Sequence, residues 1–219
     1  MQKAVSGLLL VILLAAGGSA NAALVSRLSG QAYYDDVLNI TWLANANLAN
    51  TTAFGVAGIN ANGSMTWDKA NEWMGAMNTA AHLGKNDWRL PVIVDTGSSG
   101  CNFAYTGTDC GYNVDLGAGE MAHLFYSTLG NAGAYNTSGV PCTGCVAVPG
   151  PFDNLQFYPY WSGTGYAPVA IFAWYFGLGA GDQGYNARTN AFYAWAVRDG
   201  DIEAPDTDND GIQDSLDNC

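Results

Sequence analysis

The sequence predicts an α+β fold in which short strands lie towards both ends of the chain and two helices lie between them. Three observations predict it. Runs of β-branched and aromatic residues, bounded by Gly and Asp, occupy residues 24–43 and 158–198. Apolar residues recur at three- and four-residue spacing in two central segments. No strand–helix–strand repeat is present, which argues against a parallel sheet. With 49% hydrophobic residues in 219, the chain has enough apolar material for one domain core.

Residues 1–22 are predicted to be a signal peptide. Lys3 supplies a positive n-region, an apolar run follows it, and the small residues at Ala20 and Ala22 form a cleavage signal. The run is shorter than the roughly 20 residues that span a membrane, and an uncleaved anchor is the alternative. We therefore expect a mature chain that begins at Ala23, is secreted, periplasmic or at the cell surface, and is not an integral membrane protein once processed.

The mature chain is predicted to begin with three strands, "ALVSRLS", "QAYYDD" and "VLNITWL", followed by a polar loop rich in Asn, Ala and Gly. Thr66 is the predicted N-cap of a first helix, and Gly84 is its predicted stop. "NDWRLPV" is a predicted short strand, and "GEMAHLFYSTLG" is the second helix. Three aromatic strands follow, "YPYWSGT", "AIFAWYFGL" and "AFYAWAVR". The two histidines, His82 and His123, lie at a helix end and off an apolar stripe, and we interpret both as structural.

Five cysteines indicate an oxidising compartment. Cys101 and Cys110 bracket a short loop, and Cys142 and Cys145 form a C-x-x-C motif. Local pairing within each couple is the simplest scheme, although four cysteines allow three connectivities. A redox role lacks a strand–helix–strand context, and zinc lacks a histidine at ligand spacing. Cys219 is left over and is a candidate for self-association.

The charge distribution limits the partners. The net charge is −12, and eight of the nineteen acidic residues lie from Asp199 to the C-terminus. Between residues 23 and 198 the chain carries six basic and eleven acidic residues. Because phosphate and sulfate contacts require Lys and Arg, we expect no nucleic-acid partner.

Several segments, in this order, resemble a known bacterial family. They are "YYDDVLNITWLANANLA", "MTWDKANEWMGAMNTAAHLGKNDWRLP", "GTDCGYNVD", "EMAHLFYSTLG", "NLQFYPYWSGT" and "AFYAWAVRDG". Over Leu24 to Gly200 the chain resembles the family of the C-terminal domain of the Legionella collagen-like adhesin. The resemblance implies a C-type-lectin-like fold, similar also to sulfatase-modifying factors, with two helices, a twisted mixed or antiparallel sheet and long loops.

The same resemblance implies no catalytic residues, and we expect the protein not to be an enzyme. The named adhesin binds sulfated polysaccharide, but the acidic body argues against that ligand here. The Glu-Pro-Asn and Gln-Pro-Asp motifs of calcium-dependent lectins are absent, so sugar binding would use aromatic and amide side chains without calcium. We expect a glycan or an extracellular protein as the partner.

Four charged residues of the body invite a functional interpretation. Arg89 lies between two apolar residues, and we predict that it forms a structural ion pair. Asp87, Glu120 and Asp153 are the carboxylates that a hydrolase would have to bring together. No Gly-x-Ser-x-Gly motif supports a hydrolase.

The C-terminal stretch "DTDNDGIQDSLDNC" predicts a calcium site. Acidic side chains occupy positions 1, 3, 5, 9 and 12 of a loop with Gly at position 6, the ligand spacing of calcium loops. The stretch resembles one thrombospondin type 3 repeat, and an acidic disordered tail is the alternative. The predicted ligands are Asp206, Asp208, Asp210, Ile212 through its carbonyl, Asp214 and Asp217.

The predicted organisation is thus a signal peptide (1–22), a lectin-like domain (23–200) and a calcium-binding repeat (201–219). The predicted function is a secreted or surface recognition and adhesion module. The alternative is a structural component of an extracellular matrix, filament or surface assembly, joined through Cys219 or through strand edges.

Overall fold

A computed structural model describes residues 24–95, 104–106 and 109–203. It confirms the α+β class, because two helices accompany two four-stranded antiparallel sheets. Within these ranges the longest helix has 13 residues, and no helix is long and apolar enough to cross a bilayer. The predicted signal peptide and the predicted calcium repeat from Asp206 onward lie outside the described residues.

The first sheet joins the two ends of the domain. Its strands are β1 (Leu24–Arg27), β2 (Ala32–Asp35), β3 (Ile40–Leu43) and β8 (Val197–Asp199), in the order β1-β2-β3-β8. The turn after β2 is held by Asp35, whose carboxylate accepts hydrogen bonds from the backbone N–H groups of Val37 and Leu38. The pairing of Ile40 with Asp199 brings the last strand beside the third.

The second sheet is formed by the middle and late parts of the chain. Its strands are β4 (Gly111–Tyr112), β5 (Pro159–Gly165), β6 (Phe172–Gly177) and β7 (Asp182–Ala187), in the order β4-β7-β6-β5. The register between β5 and β6 shifts between Trp161 and Gly165, which marks a bulge. The predicted single sheet is therefore divided into two, and every pairing between the named strands is antiparallel.

Helix α1 spans Trp67–Thr79, and Thr66 is its N-cap as predicted, accepting a hydrogen bond from the backbone N–H of Lys69. The expected stop at Gly84 is wrong. The helix ends five residues earlier because Ala81 adopts left-handed backbone angles (φ 48°, ψ 50°), which no α-helix continues. A 3₁₀ turn then covers His82–Gly84.

Helix α2 spans Glu120–His123 and runs directly into a π-helical turn at Leu124–Thr128. The spacing predicts an apolar face of Met121, Leu124, Phe125 and Leu129, and the first three are buried while Leu129 is half-buried against the main core. The π turn inserts an extra residue into the helical spacing, and such turns occur often at functional sites.

Two predicted strands are not regular strands. "NDWRLPV" makes one isolated bridge, from Arg89 to Val197, and Ile93, which follows it, makes another to Gly119. In "AFYAWAVR" only the last two residues belong to β8, and Phe192 bridges Met65 across the domain. The backbone of each segment pairs with more than one part of the chain. Neither segment therefore forms a continuous ladder with a single neighbouring strand.

Tryptophans anchor the long loops to one main core. The strand composition around Trp88, Leu90, Trp161, Trp174 and Trp195 predicts one shared core, and four of these residues lie in it, namely Trp88, Leu90, Trp161 and Trp195. The fifth, Trp174, packs instead in a small second cluster with Ile93, Cys110 and Tyr166.

The indole N–H groups of four buried tryptophans donate to backbone carbonyls of loops or strand ends, and Trp88 does so to His82 at 3.0 Å. The other three bonds are Trp73 to Thr52, Trp161 to Met65 and Trp195 to Leu43, at 2.9, 2.9 and 2.8 Å. Each bond ties a buried ring to the backbone of another part of the chain and gives its indole N–H a partner. The polar stretch after β3 is thereby held in place without regular structure.

Candidate ligand-binding cleft

A cleft of about 280 Å³ opens beside β4. It lies between the end of that strand and the loop of residues 132–142, and amide, hydroxyl and aromatic side chains face it. We call it the tyrosine cleft. The residues that line it are Asn113, Ala132, Gly133, Tyr135, Asn136, Thr137, Val140, Pro141 and Cys142.

Three tyrosine rings pack together at this cleft. Tyr135 lies 4.9 Å from the ring of Tyr112, edge to face, and 5.2 Å from that of Tyr105. Tyr105 and Tyr112 are stacked 5.9 Å apart at 19°. Gly139 is required beneath them, since its φ is 75° and a Cβ there would lie 2.8 Å from the Tyr105 ring. The result is a packed aromatic group in which Tyr105 remains 38% exposed.

Asn113 ties the cleft walls together. Its side-chain amide donates to the backbone carbonyls of Tyr105 and Tyr135, at 3.1 and 2.9 Å. Its backbone N–H donates to the Tyr126 hydroxyl at 2.9 Å, and that hydroxyl donates to the carbonyl of Gly181. The π turn places Tyr126 for these contacts. Burial raises the pKa of Tyr126 to about 12, so its hydroxyl stays protonated at neutral pH.

The far wall is a loop closed by a disulfide. Cys142 and Cys145 are bonded to each other, with their Cα atoms 5.7 Å apart, which confirms the local pairing predicted for this couple. The Cys142 N–H donates to the carbonyl of Ala134, and the Asn136 side-chain oxygen accepts from the N–H groups of Ser138 and Val140. The loop therefore has few free backbone groups and a fixed shape.

The other predicted disulfide is described on one side only. Cys110 is disulfide-bonded and 2% exposed within the second core cluster. Cys101 lies outside the described residues, so its pairing with Cys110 stays a prediction.

A carboxylate lies close to the Tyr112 ring of the aromatic group. Asp182 pairs with Tyr112 across the β4–β7 ladder and accepts a hydrogen bond from the Tyr175 hydroxyl at 3.0 Å. Burial raises the pKa of Asp182. Burial also raises the pKa of Tyr112, and the negative charge of Asp182 adds to that effect.

The basic side chains of the described residues do not line the cleft. Five of the six are engaged elsewhere: Arg27 with Asp201 at 2.6 Å, Lys69 with Glu72 at 2.7 Å, Arg89 with Glu120 at 2.7 Å, Arg198 with Asp87 at 2.8 Å, and Arg188 over the Trp67 ring at 4.1 Å. Lys85, the sixth, follows the 3₁₀ turn after α1. A polyanion would have to break these contacts to reach five of the six cations.

The carboxylates considered for a hydrolase are not brought together. Asp87 binds Arg198 through both oxygens, at 2.9 and 2.8 Å. Glu120 binds Arg89 through both oxygens, at 2.8 and 2.7 Å, which confirms the predicted structural ion pair of that arginine. Asp153 lines a different cavity.

That second cavity measures about 220 Å³ and contains one histidine and one carboxylate. Burial lowers the pKa of His82, whose ring packs 5.5 Å from that of Phe54 and 6.4 Å from that of Trp88. None of the lining residues carries a hydroxyl, thiol or amine. They are Gly30, Gln31, Leu43, Ala44, Asn45, Leu48, His82, Leu83 and Asp153.

His123 lies beside a hydroxyl and a carboxylate, but in the wrong order for a catalytic triad. The Thr128 hydroxyl donates to Asp35 at 3.2 Å and lies 3.4 Å from His123 Nδ1. In a triad the histidine lies between the hydroxyl and the carboxylate, so that it can take the proton of the hydroxyl. Here the hydroxyl is in the middle, and Asp35 instead holds the turn after β2.

The predicted calcium ligands, from Asp206 to Asp217, lie outside the described residues. Among residues 24–95, 104–106 and 109–203, no group of three or more His, Cys, Asp or Glu is placed to bind a metal ion.

Sequence reasoning missed the tyrosine cleft. Its residues fall in two stretches that the sequence assigns to loops, and no fixed spacing connects them. The available signal is compositional, since Tyr and Asn recur in "FAYTGTDCGYN" and "GAYNTSG" on either side of the second helix. Such residues are common on recognition surfaces.

The fold and the cleft define a class of protein: an α+β domain with irregular, disulfide-closed loops that present aromatic and amide side chains. The chain belongs to the Lcl C-terminal domain family, whose model matches residues 31–198. This membership places it among bacterial surface adhesion-type modules. Neither the curated proteins nor the solved structures contain a match to it.

Proposed function

We propose that the protein is a non-enzymatic recognition and adhesion module that works outside the cell or at its surface. The observation that carries the proposal is the tyrosine cleft on a domain of an adhesin family. Aromatic rings with a few amide and hydroxyl groups beside them are typical of small-molecule binding sites. The Cys142–Cys145 disulfide supports an oxidising compartment, and with it a secreted, periplasmic or surface location.

The body is proposed to be C-type-lectin-like. Two features support this finer assignment. The last strand of the domain pairs with β3 near its start, so the two ends of the domain meet. Long irregular loops are held by tryptophan N–H bonds and by a disulfide, and not by regular structure.

The C-terminal repeat is proposed to bind calcium as a separate appendage to this body. The support is the ligand spacing of residues 206–217, and extracellular modules with such loops bind calcium at about 10⁻⁴–10⁻³ M. Calorimetric titration of the purified chain with calcium is expected to show binding in this range. The variant D208A/D210A is expected to show none, and equal heats from both proteins would contradict the proposal.

Adhesion itself is tested by coating beads with the purified chain and measuring their retention under flow. The surfaces carry neutral glycans, sulfated glycans or extracellular-matrix proteins, and albumin-coated beads are the control. Retention on at least one surface above the albumin level is expected. Retention at the albumin level on all of them would overturn the adhesion proposal, whichever ligand the cleft prefers.

A structural role in an assembly is the second candidate, because the domain exposes apolar side chains and a strand edge. Val146 and Ile171 are 81% and 67% exposed, and β1 pairs on one side only among the named strands. Non-reducing electrophoresis and light scattering of the chain and of C219S distinguish the two roles. Assembly through Cys219 predicts dimers that the variant lacks, whereas a monomer in both samples favours the recognition role.

A further inference from the structure

We infer that the tyrosine cleft binds an uncharged carbohydrate, one sugar ring at a time, without calcium. The inference rests on the proposed recognition function and names its ligand class. The proposed ligand is uncharged, unlike the sulfated polysaccharide that the named adhesin binds. The proposed site is the tyrosine cleft and not the predicted calcium repeat. Ring stacking, unused polar groups, charge and rigidity support it in turn.

The aromatic surface suits a sugar ring. The C–H face of a pyranose is apolar while its rim carries hydroxyls, so it matches a tyrosine, which offers an apolar ring with a polar tip. Tyr135 lines the cleft, and Tyr105 extends the aromatic surface at its edge. The volume of about 280 Å³ lies at the lower end of small-molecule sites, which start near roughly 300 Å³, and fits one ring better than a buried chain of them.

The polar groups at the cleft are available to a ligand. Among the described residues, none hydrogen-bonds to the hydroxyls of Tyr105, Tyr112 or Tyr135. The Asn136 side-chain oxygen is used within its own loop, but its NH₂ donates to no described residue. Thr137 adds an exposed hydroxyl. A sugar with several hydroxyls, each both donor and acceptor, can use this mixture of groups.

The charges exclude an anionic sugar. Asp182, which pairs with Tyr112 across the β4–β7 ladder, brings a carboxylate close to the aromatic group, and no Lys or Arg lines the cleft. A sulfate or phosphate would therefore be brought towards negative charge without a cation to pair with it. The same argument excludes nucleotides, which would otherwise suit an aromatic surface.

The cleft is formed before the ligand arrives. Gly133 lines it, and a Cβ at this position would lie 2.8 Å from the Tyr126 hydroxyl that holds Asn113. The Cys142–Cys145 disulfide and the Asn136 turn fix the opposite wall. A preformed site avoids the ordering cost that weakens binding by flexible loops.

The test is calorimetric titration of the purified chain with neutral oligosaccharides. The probes are the hexasaccharides of cellulose, mannan, xylan and galactan, with a heparin hexasaccharide as the charged comparison. Each titration is done in calcium and in EDTA. We expect at least one neutral probe to bind, with equal affinity in both buffers, and heparin not to bind.

Two cleft variants and a matched control locate the binding. Y135A is expected to weaken it about tenfold or more, since the main stacking surface is lost. Y135F keeps the ring and is expected to weaken it about two- to fivefold. Y158A removes an exposed tyrosine that packs on Phe192 and Tyr193 outside the cleft lining, and binding should stay within about twofold. Thermal unfolding checks that each variant is folded, and Y135F keeps the test decisive if Y135A is not.

Several outcomes would overturn the inference. These are no heat with any neutral probe, binding that needs calcium, tighter binding of heparin, or equal affinities for Y135A and the unchanged chain. If beads adhere to a protein-coated surface and adhesion falls in Y135A while no sugar binds, the cleft binds protein. The adhesion proposal then stands and the carbohydrate inference fails. If beads adhere to no surface and no sugar binds, both fail.

Discussion

Replacing Arg89 with methionine tests the ion pair that joins the last strand, β8, to α2. The guanidinium binds both oxygens of Glu120, and it also contacts Asp199 of β8 at 2.5 Å. Glu120 accepts one further hydrogen bond, from the N–H of Val92 at 2.8 Å. Burial lowers the pKa of Arg89, but the hydrogen bonds and charges of the two carboxylates outweigh it and raise the pKa overall. The arginine is therefore charged at every accessible pH.

The structure separates the two contacts by their exposure. Asp199 is 80% exposed, so its pairing contributes only about 0–1 kcal/mol. Glu120 is 13% exposed and would keep one donor, from Val92, if the arginine were lost. Breaking a fully buried pair costs about 3–5 kcal/mol. Because the Arg89 side chain is 28% exposed and water screens the pair, we expect about 2–3 kcal/mol here.

Urea and thermal unfolding measure this loss. For a domain of this size, about 2–3 kcal/mol corresponds to a decrease in Tm of about 4–12 °C. D199N is the matched control and should lose less than about 1 kcal/mol. R89M/E120Q should regain about half of the loss, because the amide that replaces the Glu120 carboxylate is uncharged and still offers an acceptor to Val92. Equal losses in R89M and D199N, or no recovery in the double variant, would refute the argument.

Three further predictions concern other parts of the domain. The raised pKa of Asp182 means that its contribution to stability is present below its ordinary pKa near about 3.9 and is lost as the pH rises through the folded value. In urea unfolding, D182N, which still accepts from Tyr175, should therefore gain stability relative to the unchanged chain at pH 7, and the gain should shrink at pH 4; a constant difference would contradict this. T66A should lose about 0.5–1 kcal/mol in thermal unfolding, at the low end for an N-cap because the bond is 3.4 Å long. C142S/C145S should lose about 2 kcal/mol, the loop-entropy estimate for a four-residue loop, measured in urea.

Local patterns account for the parts of the fold that the sequence predicted well. Thr66 caps α1 because its side-chain oxygen bonds within its own turn, and that bond needs no distant partner. Cys142 and Cys145 are only three residues apart, so a loop of suitable geometry allows them to pair directly. The α+β class follows from periodicities of two and of three to four residues, which are local as well.

Long-range contacts decided what the sequence could not show. Trp174 looks like any other strand tryptophan, yet the β4–β7–β6 ladder places it in a second cluster with Cys110. "NDWRLPV" has strand composition, but Arg89 and the next bridging residue, Ile93 just after the segment, pair with different partners and no ladder forms. The end of α1 depends on the left-handed backbone conformation of Ala81. Alanine is a good helix former, so its presence there does not predict that the helix ends.

The sequence by itself determined the class of fold, the scarcity of basic charge and the spacing that predicts a calcium loop, because composition and spacing are properties of a single segment. The tertiary structure decided where the candidate binding site lies. Tyr105, Tyr112 and Tyr135 come from stretches up to thirty residues apart. They meet because β4 pairs with β7 and because Asn113 bonds to both flanking loops. Pairings of this kind depend on the closure of distant parts of the chain, and no local pattern encodes that closure.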